Sequence, residues 1–232
     1  MQKNNEMQEI KEVNANHLAC VLLLDTSGSM GAVSSNEAPI DSLNRSIEAF
    51  KKEVCEDEMA KTIDVAIVKF NSTVEVVVPF MPVENMEYTP QSANGGTSMG
   101  AAIVKAIDLI KERIRFYKIL GTPCFKPWIF MITDGEPTDS IEEAIRRVQE
   151  EESKGSYGKL NFIAVASPGA NKEILLKITP RVIDLKDGHF DALFIWIAKS
   201  MIAISFNEPS LPYLPQNART VDPKDPNAVW LD

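Results

Sequence analysis

Residues 18–24, Leu-Ala-Cys-Val-Leu-Leu-Leu, form an apolar run with no polar alternation, and the run ends in Asp25-Thr26-Ser27-Gly28-Ser29. A strand with one wet face alternates apolar and polar residues. A continuous apolar run needs cover on both faces, as in a parallel sheet flanked by helices. The rest of the chain must therefore supply helices for two faces.

It does so in alternation. Leu43, Ile47, Phe50 and Val54 mark one face of a helix over residues 41–58. Val65 to Phe70 is a second apolar run, broken by Lys69, and Asn71-Ser72 turns it into Val74 to Val78, an antiparallel partner. Pro79, Pro82 and Pro90 predict irregular chain from Pro79 to Asn94. Ile103, Ile107, Ile110 and Ile114 mark a second helix, and Trp128 to Ile132 a strand entering Thr133-Asp134-Gly135. Ser140 and Glu143 have the spacing of a capping box for a helix reaching about Glu152. A strand from Asn161 to Ala166, a short helix at 171–178 and a strand from Val182 to Leu185 follow. Residues 190–205 form a last helix, apolar nearly all round apart from Asp191 and Lys199. After Phe206 the segment holding Pro209, Pro212, Pro215, Pro223 and Pro226 suits neither helix nor central strand, and Trp230 is its natural anchor, whether it lies over the domain or binds a partner.

The expected fold is α/β and doubly wound: a mostly parallel six-stranded sheet with one antiparallel edge strand and helices on both faces. The expected organisation is a polar lead over residues 1–16, one domain over 17–205 and a Pro-rich tail over 206–232. Ligands in such sheets sit beyond the carboxyl ends of the strands, where strand order reverses. Asp25 and Asp134 both fall at such ends.

The chemistry there is that of hard oxygen. Gly28 lets the chain turn between Ser27 and Ser29, so that both hydroxyls can face one point. Gly95-Gly96-Thr97-Ser98 brings a third hydroxyl, and Asp25 and Asp134 balance a formal charge of +2, directly or through water. Magnesium takes about six oxygens and usually keeps several waters. Neutral hydroxyls are weak donors, so the ion stays electrophilic and an open position could accept a partner's carboxylate. The candidate metal ligands are therefore Asp25, Ser27, Ser29, Thr97 and Asp134, with Mg²⁺ the expected ion and Mn²⁺ or Ca²⁺ alternatives. Gly31 to Pro39, which includes Glu37, and the Pro79 to Asn94 loop are candidate rims of the site.

Asp25-x-Ser27-x-Ser29, Thr97 and Asp134 resemble the metal-ion-dependent adhesion site of von Willebrand factor type A domains. The resemblance runs over roughly residues 17–204. The segments LLLDTSGSM, NGGTSMGAAI, PWIFMITDGEPTD and FIWIAKSMIAIS resemble the bacterial stand-alone group related to the tellurium-resistance protein TerY. The resemblance implies a magnesium-dependent binding module and not an enzyme. A partner Asp or Glu would complete the metal shell, and ligand exchange could couple to sliding of the last helix. It further implies a stress-response or phospho-signalling assembly with a protein kinase or a 2C-type (PP2C-type) protein phosphatase as partner.

Bulk properties narrow the field. A net charge of −9 opposes a nucleic-acid or anionic-membrane footprint, and no run is long enough to span a bilayer. Glu150-Glu151-Glu152 reads as a solvated helix face. Cys20, Cys55 and Cys124, odd in number and far apart, suit reduced thiols, and the polar start from Met1 to Lys11 lacks a signal peptide's apolar core. The expected location is cytoplasmic. His17 and His189 lack ligand-spaced companions and read as solvent-exposed or capping residues, while Trp128 and Trp196 read as core.

Two enzymatic readings compete. Ser29, Asp184 and His189 follow the chain order of α/β-hydrolase triads, but Gly28-Ser29-Met30-Gly31 is not Gly-x-Ser-x-Gly. A magnesium phosphohydrolase with Asp25 as nucleophile would want an acid or base nearby and a cationic group. Position 27 is Ser, and none of the three loops carries Lys or Arg.

Overall fold

All eight residues of β1 (Leu18–Asp25) are buried. The pleat sends Leu18, Cys20, Leu22 and Leu24 to one core and Ala19, Val21 and Leu23 to the other. Burial also pushes the Cys20 thiol well above its ordinary pKa, as befits an inert apolar side chain. The structure, a computed structural model, describes residues 12–33, 37–153, 160–208 and 212–221. Trp230 and residues 34–36 of the Gly31 to Pro39 stretch lie outside the described residues.

The remaining elements are α1 (Pro39–Cys55), β2 (Ile63–Phe70), β3 (Val74–Pro82), α2 (Met99–Leu120), β4 (Trp128–Thr133), α3 (Glu142–Glu152), β5 (Asn161–Ala166), α4 (Lys172–Ile178), β6 (Val182–Leu185), α5 (Asp191–Ser205) and β7 (Ala218–Thr220). The sheet runs β3-β2-β1-β4-β5-β6-β7. β1 pairs in parallel with β2 and β4, and β5 and β6 continue the parallel order. β3 and β7 are antiparallel to their neighbours. Leu43, Ile47, Phe50 and Val54 of α1 join Phe190, Leu193, Phe194 and Ile197 over one face. Ile103, Ile107 and Ile110 of α2, with Val148 of α3 and Leu175 of α4, cover the other. The doubly wound α/β class is therefore as expected, and Trp128 and Trp196 are core residues.

The sheet has seven strands rather than six, because the Pro-rich tail supplies β7. Pro79 does not end β3. One extra residue of β3 bulges between the pairs Ile67–Val78 and Val65–Met81, and an edge strand tolerates a missing N–H there. The Ser140–Glu143 capping box does not form: α3 starts after Ile141 with no side-chain cap. Glu151 and Glu152 are not solvated. Glu151 is 2% exposed and meets Lys111 at 2.6 Å, and Glu152 accepts from Arg181 at 2.8 Å.

His17 is neither exposed nor a cap. It is buried at the amino end of β1, with Nδ1 2.9 Å from Asp64 and Nε2 3.1 Å from the Glu12 carbonyl. Arg113 pairs with the same carboxylate at 3.0 Å and lies over the Phe80, Phe116 and Tyr117 rings. The Tyr117 hydroxyl donates to Asp64 as well. This polar knot sits at the end of the sheet opposite the candidate metal ligands. No helix among the described residues is long and apolar enough to cross a membrane.

Candidate metal site

Strand order reverses between β1 and β4, and the crevice this opens lies at their carboxyl ends. Asp25 ends β1, and Asp134 follows Thr133, the last residue of β4. The loop after β1 curls back at once: the Ser27 N–H donates to Asp25 Oδ1 at 2.8 Å. A short helical turn from Gly28 to Gly31 then presents Ser29 beside Ser27, their hydroxyl oxygens 3.0 Å apart. Ser29 Oγ donates to Asp134 Oδ1 at 2.8 Å. Thr133 Oγ1 donates to Asp25 Oδ2 at 2.6 Å, which ties the ends of the two strands together.

The Thr97 loop arrives from elsewhere in the chain. Gly28 N–H donates to the Gly95 carbonyl at 3.0 Å, and Asn94 N–H to the Thr26 carbonyl at 2.9 Å. Gly95 has φ +73°, and a Cβ there would lie 2.6 Å from Ser72 Oγ, so this position requires glycine on two counts. The β2–β3 turn buttresses the loop: Ser72 Oγ accepts from Gly96 N–H at 2.8 Å, and the Asn71 carbonyl from Ser98 N–H at 2.7 Å. Gly135 fixes where Thr97 meets the carboxylates. A Cβ on Gly135 would lie 3.1 Å from Thr97 Oγ1 and 3.5 Å from Asp25 Oδ2.

The structure thus brings Asp25, Ser27, Ser29, Thr97 and Asp134 into one small region from three loops. Asp25, Ser27 and Thr97 are buried, while Ser29 faces solvent and leaves the cluster open on one side. Burial raises the pKa of the Asp25 carboxyl, against hydrogen bonds from Ser27 and Thr133 that lower it, and the nearby Asp134 raises it further. Burial likewise raises Asp134, with the Ser29 hydroxyl opposing. Two carboxylates forced together under partial desolvation favour a neutralising charge between them.

The donor chemistry fits a hard divalent ion: two carboxylates and three hydroxyls, with no sulfur or imidazole. Among the described residues no group of three or more His, Cys, Asp or Glu gathers for a metal, so an all-carboxylate or His/Cys site is not on offer. The hydrolase-triad candidates Asp184 and Ser29 have other partners: Asp184 is engaged by Arg219 at 3.0 Å and Lys172 at 2.6 Å, and Ser29 by Ser27 and Asp134. Glu37 of the first candidate rim pairs with Arg45, which holds its carboxyl below the ordinary range.

Sequence reasoning missed three supporting residues. Thr133 holds Asp25, Thr138 Oγ1 accepts the Thr97 N–H at 3.0 Å, and Asp139 accepts from the N–H groups of Gly100 and Ala101 at 3.0 and 2.9 Å. The available signal was the second Thr-Asp pair, 138–139, five residues beyond 133–134.

Residues 20–137 match the family model of the von Willebrand factor type A domain. Solved structures with the same fold include a von Willebrand factor type A protein from Catenulispora acidiphila, 19% identical, TM-score 0.53, covering 82% of this chain and 43% of that one. Proximal thread matrix protein 1 from the mussel byssus, in a form with a zinc-occupied MIDAS motif, is 15% identical, TM-score 0.57, with 82% and 48% covered. The hypothetical protein BatB from Bacteroides thetaiotaomicron is 15% identical, TM-score 0.53, with 82% and 100% covered. This chain spans about half the length of the first two, at 43% and 48%. No curated protein matches the chain in sequence.

Proposed function

The chain belongs to the von Willebrand factor type A domain family, and from that premise we propose that it is a divalent-cation-dependent protein-interaction module rather than an enzyme. Asp25, Ser27, Ser29, Thr97 and Asp134 would hold the ion, Mg²⁺ in the cell, and a partner's Asp or Glu would complete its shell. The observation that carries this reading is the meeting of two carboxylates and three hydroxyls from three loops at the open switch point of the sheet. The bound ion would supply Lewis acidity toward a carboxylate. The protein's part is to keep its own formal charge at two, so that the ion still attracts a third negative group. The zinc-occupied site of the mussel protein supports metal binding by this kind of site.

The sequence resemblance extends the proposal to a cytoplasmic, TerY-like role in tellurium resistance or stress response, with a kinase or 2C-type phosphatase as partner. The absence of Lys and Arg from the three loops favours binding over phosphoryl transfer.

The test is a quantitative pull-down from host lysate with magnesium or EDTA, using wild type and Asp25→Ala. The expected result is a partner retained only with magnesium and intact Asp25. Retention indifferent to both would sink the proposal.

A further inference from the structure

We propose that Asp139 is a positioning residue for the cation site, an inference that rests on the metal-binding reading above. Its carboxylate holds the Thr97 loop to the Asp134 loop and offsets the positive end of α2 beside the ion.

The need arises from the fold. α2 is a helix of 22 residues that begins at Met99, two residues after Thr97. The amino end of a helix has unpaired N–H groups and a partial positive charge, which disfavours a neighbouring cation. Ser98, at the cap position, makes no side-chain capping bond. Asp139 takes that place from a distant loop, Oδ1 accepting from Gly100 N–H at 3.0 Å and Oδ2 from Ala101 N–H at 2.9 Å.

The approach is close enough to need glycine: a Cβ on Gly100 would lie 2.1 Å from the Ser140 carbonyl oxygen. Beside it, Thr138 and Thr97 exchange bonds. Thr97 N–H donates to Thr138 Oγ1 at 3.0 Å, and Thr138 N–H to the Thr97 carbonyl at 2.9 Å. Residues 97–101 and 138–140 therefore form one clasp, which joins a hydroxyl ligand to the loop that carries Asp134. Asp139 contributes a full negative charge to this clasp while both its oxygens are occupied by N–H groups. It can favour the cation electrostatically without serving as a ligand.

The full chain would be titrated with Mn²⁺ by calorimetry, at low and high salt, and melted in EDTA. Three variants separate the roles: Asp139→Asn removes the charge and one of the two acceptor oxygens, Thr138→Val removes a bond without changing charge, and Asp139→Ala removes the charge and both acceptors. Asp139→Asn is expected to bind Mn²⁺ about 3- to 10-fold more weakly at low salt, with the gap narrowing at high salt. Its metal-free melting temperature should fall less than that of Asp139→Ala, which loses both acceptors. Thr138→Val should show a loss that salt does not change. Wild-type affinity in Asp139→Asn, or a deficit independent of salt that follows the metal-free melting temperature, would make Asp139 a structural cap and overturn the inference. A wild-type chain that takes up no Mn²⁺ would overturn the metal reading itself, and this inference with it.

Discussion

Asp25 is the residue at which burial and function pull against each other. Its carboxyl is 0% exposed and its pKa is raised, first by desolvation. A folded-state pKa above the unfolded one means that the folded protein holds the proton more tightly. The stability from this group is therefore full below the unfolded value and is lost as pH rises through the folded one. Without metal, Asp25→Asn should melt higher than wild type at neutral pH, and the gap should close on acidification through the carboxylate range. A gap that widens toward acid would contradict the raised value. Asp64 is a second buried carboxylate, met by His17, Arg113 and Tyr117. Arg113 is 5% exposed, and Asp64→Ala would leave that guanidinium buried without its carboxylate. The expected cost is about 3–5 kcal/mol in urea unfolding, and a loss under about 1 kcal/mol would mean that the aromatic rings alone hold Arg113. The ligand residues were legible because Asp25, Ser27 and Ser29 are contiguous and Thr97 and Asp134 sit in recognisable turns. Their supports were not, because each bond spans the chain: Thr133 to Asp25 crosses 108 positions, and Thr97 to Thr138 crosses 41.

Elements that bury a periodic face were read to within about three residues, the first helix running Pro39–Cys55 where 41–58 was expected. The four apolar positions at helical spacing in α1 are all fully buried, and β1, β4, β5 and β6 begin and end close to their apolar runs. Elements defined by backbone pairing alone were harder. β7 is three residues long, and Ala218-Arg219-Thr220 carries no strand pattern. It becomes a strand because β6 offers an edge and Asp184 binds Arg219 at 3.0 and 3.1 Å. Nearby, Trp196 Nε1 donates to the Pro212 carbonyl at 2.9 Å, fastening the tail across α5. Truncation after Glu208 should therefore cost about 1–3 kcal/mol and bare the β6 edge, giving a lower melting temperature and oligomers in size-exclusion chromatography. An unchanged melting temperature would show that the tail adds nothing to the fold. Capping was misassigned for a related reason. Ser140 has the local spacing for α3, yet the neighbouring Asp139 serves α2, whose capped N–H groups lie 39 and 38 positions back.

For the molecule as a whole, metal binding and folding should be one linked equilibrium. The ligands come from the ends of β1 and β4 and from the loop before α2, so an unfolded chain cannot gather them. An ion that binds only the folded chain stabilises it by about 2.7 kcal/mol when present at about a hundredfold excess over its Kd. For a domain of this size that corresponds to a rise of about 5–10 °C in melting temperature. The gain should be present in wild type and absent in Asp25→Ala, while the two proteins melt within a few degrees of each other in EDTA. Asp134→Ala, which keeps the buried carboxylate but loses the acceptor of the Ser29 hydroxyl, should show a reduced gain. The net charge of −9 adds a distinguishing control, since diffuse attraction of any divalent ion to an acidic surface would stabilise all three proteins alike and fade with added salt. Only stabilisation that needs Asp25 and survives salt belongs to the site. If Asp25→Ala instead failed to fold in EDTA, the carboxylate would be a structural tie between β1 and β4, and the five oxygens would owe their meeting to the fold rather than to an ion.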